Sequence, residues 1–325
     1  MIGEEMPGNE GDTTWSKAIP EPRDRLQSRV LVGIAGILLI RQIVLLLPQF
    51  HLFDTDGVQG FSVLAKAAAI SAGFAVLVLG LRAATTVGAF FGGMICLVLV
   101  FGTSSARDST IPIGVVRSGL IPLVTLFVLT FLSTRAGRHI KTRAGLAEKR
   151  QGRSASQVVA NLATAALSVS FLGPYLLGSG RLCWGQGYYG KWIHPALMMM
   201  CLAALVEATA DTVSSEIGQA FGGAPLLLVG FRRVAVGTDG AVTLLGSGAG
   251  VAGGTLVAAV GTWALRLNVW EGTIALLAGV CGLFFDSLLG ATLERRGWLG
   301  NDLVNFASTL FAAMLAALLY RFFVL

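Results

Sequence analysis

Charge is what this sequence has least of. Only 13% of its 325 residues are Asp, Glu, Lys or Arg, against roughly 25% in a soluble globular chain. That deficit excludes an ordinary water-soluble domain. Cysteine is scarce too. Cys96, Cys183, Cys201 and Cys281 include no C-x-x-C pair, and three lie in apolar stretches. A disulfide framework and a zinc site are therefore not indicated. The histidines, His51, His139 and His194, have no partner at ligand spacing. The chain has no G-x-x-x-x-G-K-[ST] run and so is not a P-loop protein. Its first 28 residues mix acidic and basic side chains without the apolar core of a signal peptide. They are expected to form a disordered polar tail, followed by a membrane domain over 29–325.

What the chain has in excess is apolar sequence in long blocks. Hydrophobic residues make up 54%, and the mean hydropathy is +0.73. A bilayer-spanning helix needs about 20 mostly apolar residues. Nine blocks approach this length: Val30 to Leu47, Phe61 to Leu81, Val87 to Phe101, Arg117 to Phe131, Gln157 to Leu177, Trp192 to Ser215, Val242 to Leu265, Trp270 to Leu289 and Leu303 to Val324. The expected fold is all-α, a polytopic membrane helical bundle of about nine transmembrane helices. The short third block is expected to be tilted, re-entrant or shielded by neighbours. A multi-pass location follows, in the plasma membrane if the host is a bacterium.

Lys/Arg asymmetry orients the spans. With the N-terminus inside, sixteen of the 24 Lys and Arg residues fall on the cytoplasmic side, five on the other, and Arg41, Lys66 and Arg117 within blocks. Snorkelling or displaced span ends explain those three. Trp184, Trp192, Trp263 and Trp270 flank outer span ends, at head-group depth. The net charge of +6 suits anionic lipid head groups, and no nucleic-acid partner is expected.

Polar residues inside membrane segments are costly and so carry information. The basic loop over 133–156, from Lys141 to Arg153, leads to Gln157 and Asn161 at the start of the fifth block. It suits either phosphate binding or plain anchoring on the inner face. The sixth block ends Glu207-Ala-Thr-Ala-Asp-Thr-Val-Ser-Ser-Glu-Ile-Gly218. Glu207 and Asp211 share a helix face, with Thr212 and Glu216 on a neighbouring stripe. Such carboxylates suit Mg²⁺, which takes oxygen ligands, or they belong to a helix end fraying into water. Arg232-Arg-Val-Ala-Val-Gly-Thr-Asp-Gly240 precedes the seventh block. It is either an anion cradle at a helix N-terminus or a turn capped by Thr238 or Asp239. Asp286, Ser287 and Glu294 close the eighth block, and Asn301, Asp302 and Asn305 open the ninth. Asn301 and Asp302 would serve as caps, but Asn305 lies one turn in. Gly246, Gly250 and Gly254 read as helix packing alone. With the orientation set by Lys and Arg alone, every polar cluster falls on one membrane face.

These motifs resemble the transmembrane protein 19 family, which includes the plant and cyanobacterial phytyl phosphate kinase. The resemblance rests on Ala210-Asp-Thr-Val-Ser-Ser-Glu-Ile-Gly218, Gly237-Thr-Asp-Gly240, Asp286-Ser-Leu-Leu-Gly-Ala-Thr292, Asn301-Asp-Leu-Val-Asn-Phe306 and the loop from Lys141 to Asn161. It covers roughly Ala67 to Leu325. It implies phosphoryl transfer from CTP or another nucleoside triphosphate to an isoprenoid monophosphate lipid. On that footing Asp211 and Asp286 would hold Mg²⁺, with Glu216 as a further catalytic residue. Arg232, Gly237, Thr238, Asp239, Gly240, Lys141, Arg153, Asn161, Ser287, Asn301 and Asn305 would bind nucleotide or phosphate. The chain departs from the family pattern at Asp239, Ala241, Ala235, Arg232 and Glu207. Asp239 sets a negative charge where phosphates are expected, which suits a facing metal. A cytidylyltransferase making a CDP-lipid, or a transporter or lipid carrier without catalysis, are the competing expectations.

Overall fold

The computed structural model describes residues 19–46, 57–103, 117–147, 151–169 and 188–323. Ten α-helices form among these described residues: α1 (Glu21–Leu46), α2 (Gly57–Gly80), α3 (Thr86–Thr103), α4 (Leu120–Arg135), α5 (Arg138–Arg143), α6 (Ala155–Ser168), α7 (Tyr188–Phe221), α8 (Leu244–Ala264), α9 (Val269–Leu289) and α10 (Asn301–Phe323). A π-helical turn, Gly290–Glu294, extends α9. Two short strands, β1 (Leu226–Leu227) and β2 (Ala241–Val242), pair antiparallel. The fold is an integral membrane helical bundle, as expected.

Each of the nine apolar blocks contains one long helix. Among the described residues, however, only six helices are long and apolar enough to cross a membrane by themselves: α1, α3 and α7 to α10. By length and composition, six of the nine expected spans are thus matched among the described residues. The described part of α6 has 14 residues, about 21 Å at 1.5 Å per residue, against a hydrocarbon core of about 30 Å. The third block forms α3, which is mostly buried and so is the shielded case. α1 begins at Glu21, so residues 21–28, assigned from sequence to a disordered tail, are helical. Residues 1–18, Trp184 and Arg150 lie outside the described residues, as does the side chain of Trp192.

The bundle is built around α7. Within its span, 94% of the apolar window is buried, against 61% or less in the other five candidate spans. It touches α4, α6, α8, α9 and α10. In lipid there is no hydrophobic drive between helices, so small residues that let backbones approach set the packing. The glycine stripe of α8 does this. A Cβ at Gly246 would lie 2.5 Å from the Ser214 carbonyl oxygen, one at Gly250 2.8 Å from the Ser214 Cβ, and one at Gly254 3.2 Å from Val206. On the adjoining face of α7, a Cβ at Gly279 of α9 would lie 2.7 Å from the Val206 Cβ and closer still to its Cγ1. Two helices therefore lie backbone-close along α7 and fix its rotation.

The charged residues read as lying within blocks have simple places. Arg41 and Lys66 are exposed on α1 and α2. Arg117 precedes α4, its guanidinium 5.5 Å from the Trp263 ring. Trp263 and Trp270 are exposed at the α8–α9 turn, which is closed by a capping box between Asn268 and Glu271.

Candidate active site

One end of the bundle gathers the C-termini of α2, α4, α7 and α9 and the N-termini of α1, α3, α6, α8 and α10. Specific contacts tie these ends together. Ser28 of α1 donates to Asp302 of α10 at 2.6 Å. Arg135 of α4 donates to the Leu81 carbonyl beyond α2 at 3.0 Å. The backbone of Arg153 pairs with Ala83 and Thr85 through two 2.9 Å hydrogen bonds. A polar cavity of about 340 Å³ opens here, between α6, α7, α9, α10 and the turn before α8.

The site is built from helix ends because each chain reversal there has a local cause. α6 starts at a capping box: the Ser154 hydroxyl accepts from Gln157 N–H at 3.2 Å, and Gln157 Oε1 accepts from Ser154 N–H at 2.8 Å. This holds two side chains into position, Gln157 and, one turn on, Asn161, whose Nδ2 donates to the Gln157 carbonyl at 2.8 Å. The turn 237–240 is pressed against α9. Gly240 has φ +72°, and a Cβ there would lie 2.5 Å from the Ser287 carbonyl oxygen. A Cβ at Gly290 would in turn lie 2.7 Å from Gly240 N. Both glycines serve a close backbone approach that no side chain permits. α8 is capped by Thr243, which accepts from Gly246 N–H at 3.0 Å. The caps expected at Thr238 and Asp239 are not used: the Thr238 hydroxyl donates to the Ala235 carbonyl at 2.7 Å. Nor does Asn301 or Asp302 cap α10, whose first N–H groups bond to the Gly300 carbonyl.

Of the residues singled out from sequence, Asp211, Glu216, Arg153, Asn161, Gly237, Thr238, Asp239, Gly240, Asp286, Ser287, Asn301 and Asn305 all line this cavity. Asp211 from α7 and Asp286 from α9 interact electrostatically across it, and Asp286 also feels Asp239 and Glu294. Arg153, which donates to Thr212 Oγ1 at 3.4 Å, supplies positive charge beside Asp211.

Two of the expected phosphate-binding residues are placed elsewhere. Lys141 is buried, and its ammonium bonds to the Ser133 carbonyl at 3.2 Å, the Thr134 carbonyl at 2.9 Å and the Glu216 carboxylate. An ammonium has three donors, so Lys141 is fully engaged in fastening α5 to α4 and α7. Glu216 is correspondingly occupied, its other oxygen accepting from Thr134 at 3.2 Å. It borders the cavity as half of an ion pair. Arg232 is exposed on the segment joining β1 to β2 and does not line the cavity; its carbonyl accepts from Leu227 N–H at 2.9 Å.

Ser308 was not singled out from the sequence, and Glu207 was read there with Asp211 as a carboxylate suited to Mg²⁺; both are buried next to the site's carboxylates. Ser308, fully buried on α10, lies 3.1 Å from Asp286 Oδ2 and 2.9 Å from the Asn305 carbonyl. Its spacing from Asn301 and Asn305 was the available signal, since the three recur at helical intervals on one face. Glu207 sits one turn deeper than Asp211, 1% exposed, with Oε1 lacking a hydrogen-bond partner among the described residues. A Cβ at Gly282 would lie 2.6 Å from its Cγ, so α9 makes room for this carboxylate with a glycine.

Among the described residues, no group of three or more His, Cys, Asp and Glu side chains is arranged to hold a metal alone. A closed protein cage is therefore not present. The donor set does fit Mg²⁺, which is commonly held by one or two carboxylates, with waters and substrate phosphates completing the shell. The buried Glu207 Oε1, without a hydrogen-bond partner among the described residues, leaves an oxygen donor one turn beneath Asp211.

Residues 69–313 match the family described as integral membrane protein DUF92. The chain belongs to that family. Its relatives include Protein VTE6, chloroplastic, of Arabidopsis thaliana, 28% identical over 63% of this chain and 59% of the relative. An uncharacterized membrane protein of Synechocystis is 31% identical over 61% of this chain and 72% of its own length. Another, from Methanocaldococcus jannaschii, is 36% identical over 37% of this chain and 50% of its own. The chain thus covers 59% and 50% of the plant and archaeal relatives. No solved structure matches it. The plant and cyanobacterial relatives agree with the transmembrane protein 19 resemblance read from the motifs.

Proposed function

We propose that this protein is a Mg²⁺-dependent phosphotransferase that moves the γ-phosphoryl group of CTP, or another nucleoside triphosphate, to an isoprenoid (phytyl-like) monophosphate. The observation that carries this reading is the meeting of Asp211 and Asp286, from two helices, with the glycine turn 237–240 and Arg153 in one polar cavity. Phosphoryl transfer needs positioning and charge neutralisation more than covalent chemistry, and this cavity is equipped for those. In the reaction an oxygen of the acceptor phosphate bonds to the γ-phosphorus. The bond from that phosphorus to the β,γ-bridging oxygen breaks, and the nucleoside diphosphate leaves with the electron pair.

Asp211 and Asp286 would hold the ion, which supplies the positive charge that lets a triphosphate enter a site rich in carboxylates. Asp239, close enough to Asp286 to interact with it, would face the same ion rather than a phosphate. The backbone of Gly237 to Gly240 takes the phosphates at close range. The N-termini of α6, α8 and α10 border the cavity at Gln157, Thr243 and Asn301, bringing three positive dipole ends to an anion. Asn161 and Asn305 donate to phosphate or ribose oxygens, and Ser308 holds Asp286 in its rotamer. The face is cytoplasmic, where the nucleotide is.

The test is an incubation of purified protein with CTP, Mg²⁺ and phytyl monophosphate. Phytyl diphosphate and CDP are expected, with loss of turnover on chelation by EDTA. Release of pyrophosphate and a CDP-lipid would instead make the protein a cytidylyltransferase. Absence of turnover with any nucleotide, or full activity after Asp211→Asn with Asp286→Asn, overturns the reading.

A further inference from the structure

A second cavity, larger and of opposite character, lies beside the first. It encloses about 760 Å³ between α2, α3, α4 and α6, a volume within the usual range for a small-molecule site. Its interior is apolar, with Phe74, Val78, Leu123 and Phe127 among its walls. Phe74 and Phe127 meet edge to face at 5.6 Å. Gly92 of α3 also lines it, and a Cβ there would have its nearest contact at 3.9 Å, so the glycine leaves space unfilled.

The mouth of this cavity is cationic. Arg82, Arg135, Arg138 and Arg153 all line it, and among the described residues no Asp or Glu does. Among the described residues, Arg82, Arg135 and Arg138 form no ion pair. Arg82 is held at φ +53°, a left-handed conformation that a non-glycine residue keeps only where its surroundings impose it. Arginine is the side chain suited to bidentate recognition of phosphate. An apolar chamber closed by arginines is thus complementary to one kind of molecule: a phosphate monoester on a single hydrocarbon chain.

The two cavities share a wall, because Arg153 and Asn161 line both. The backbone places Arg153 there. Gly152 has φ +74°, and a Cβ on it would overlap the Ala83 backbone; one at Gly88 would lie 2.9 Å from the Arg153 carbonyl oxygen. The 152–153 segment is thereby clamped onto the α2–α3 turn.

We infer that the apolar cavity is the acceptor site. The hydrocarbon chain lies between α2, α3 and α4, and the phosphate rests on Arg82 and Arg138. Arg153 then presents that phosphate to the donor in the carboxylate-lined cavity. This rests on the phosphotransferase reading for the chemistry, but the binding itself does not depend on turnover.

The experiment uses full-length protein in lipid nanodiscs and a phytyl monophosphate carrying a diazirine at the end of its chain. Photolysis without nucleotide should label residues of α2, α3 or α4. Unlabelled phytyl monophosphate should protect against labelling, and phytol should protect at least about tenfold less well. In steady-state assays, Arg82→Gln with Arg138→Gln, and separately Gly92→Leu, should raise the lipid KM about tenfold or more and leave the CTP KM unchanged. Arg82→Lys with Arg138→Lys should recover part of the loss. Labelling confined to other helices, or equal protection by phytol, overturns the acceptor site even if the protein proves to be a kinase. Labelling as expected in a protein that turns over no nucleotide leaves the acceptor site standing and removes the kinase reading.

Discussion

The two cavities at this end of the bundle are neighbours with opposite chemistry. Among the described residues, one is lined by Asp211, Glu216, Asp239, Asp286 and Glu294 with a single arginine; the other is lined by four arginines and no carboxylate. On the proposed phosphotransferase reading, the contrast assigns each anionic substrate its own place. A phosphate can approach carboxylates only with a divalent cation between them, whereas it can approach arginines directly. On the proposed reading, metal-bound nucleotide and metal-free lipid phosphate would be sorted by electrostatics before either is recognised by shape. The sorting is sharp because a membrane interior screens charge poorly.

The largest effect should come from removing what makes the first cavity different. Asp211→Asn with Asp286→Asn keeps shape and takes away both central negative charges. Turnover should fall by at least about 10³-fold, measured as diphosphate formed per minute at saturating Mg²⁺. Lipid labelling in the arginine-lined cavity should persist, because that cavity contains neither residue. If labelling were lost as well, the two sites would not be separable in the way their linings suggest.

The next effect tests the shared wall. Arg153→Met should lower kcat about 10²-fold and raise the KM for both CTP and lipid, since this side chain borders both cavities. Arg153→Lys should recover little, because an ammonium cannot reproduce a guanidinium fork at two neighbours. An effect on one KM alone would assign Arg153 to a single cavity.

Much of the first cavity was legible in the sequence, for a physical reason. Carboxylates and asparagines at helical spacing within apolar blocks are costly in lipid, so Asp211, Asp286 and Asn305 stood out, and Lys/Arg asymmetry put them on one face. The second cavity was not legible. Its walls are Phe, Val, Leu and Gly in apolar helices, which read the same whether they face a neighbour, lipid or a void. Lys141 shows a different limit. A lysine in a basic loop suggests phosphate, but its partner Glu216 is 75 positions away, and sequence spacing does not reveal such a pair.

Lys141 therefore separates architecture from chemistry. Lys141→Met should destabilise the protein by about 3 kcal/mol, because it leaves the Glu216 carboxylate without its counter-ion. A thermal-shift measurement in detergent should show the loss, while kcat per folded molecule stays within about threefold of wild type. Lys141→Met with Glu216→Leu should restore much of the stability, since replacing a buried ion pair by apolar residues is often neutral. A large fall in kcat without loss of stability would return Lys141 to the phosphate site.

The smallest effect is expected at Arg232, and its smallness is informative. The family resemblance made it an expected phosphate ligand, while its local sequence fitted an ordinary turn equally. The structure instead holds its backbone in the link between β1 and β2 and leaves its side chain in the open beside Phe231, which is 78% exposed. An exposed arginine next to an exposed aromatic at a span end is the pattern of an interfacial anchor. Arg232→Gln should therefore change kcat/KM for CTP by less than about twofold. With Arg233→Gln it should weaken association with anionic more than zwitterionic lipid, by about 1 kcal/mol per charge. A tenfold rise in the CTP KM would mean that the hairpin closes over the nucleotide, and the carboxylate-lined cavity would then hold a second arginine when occupied.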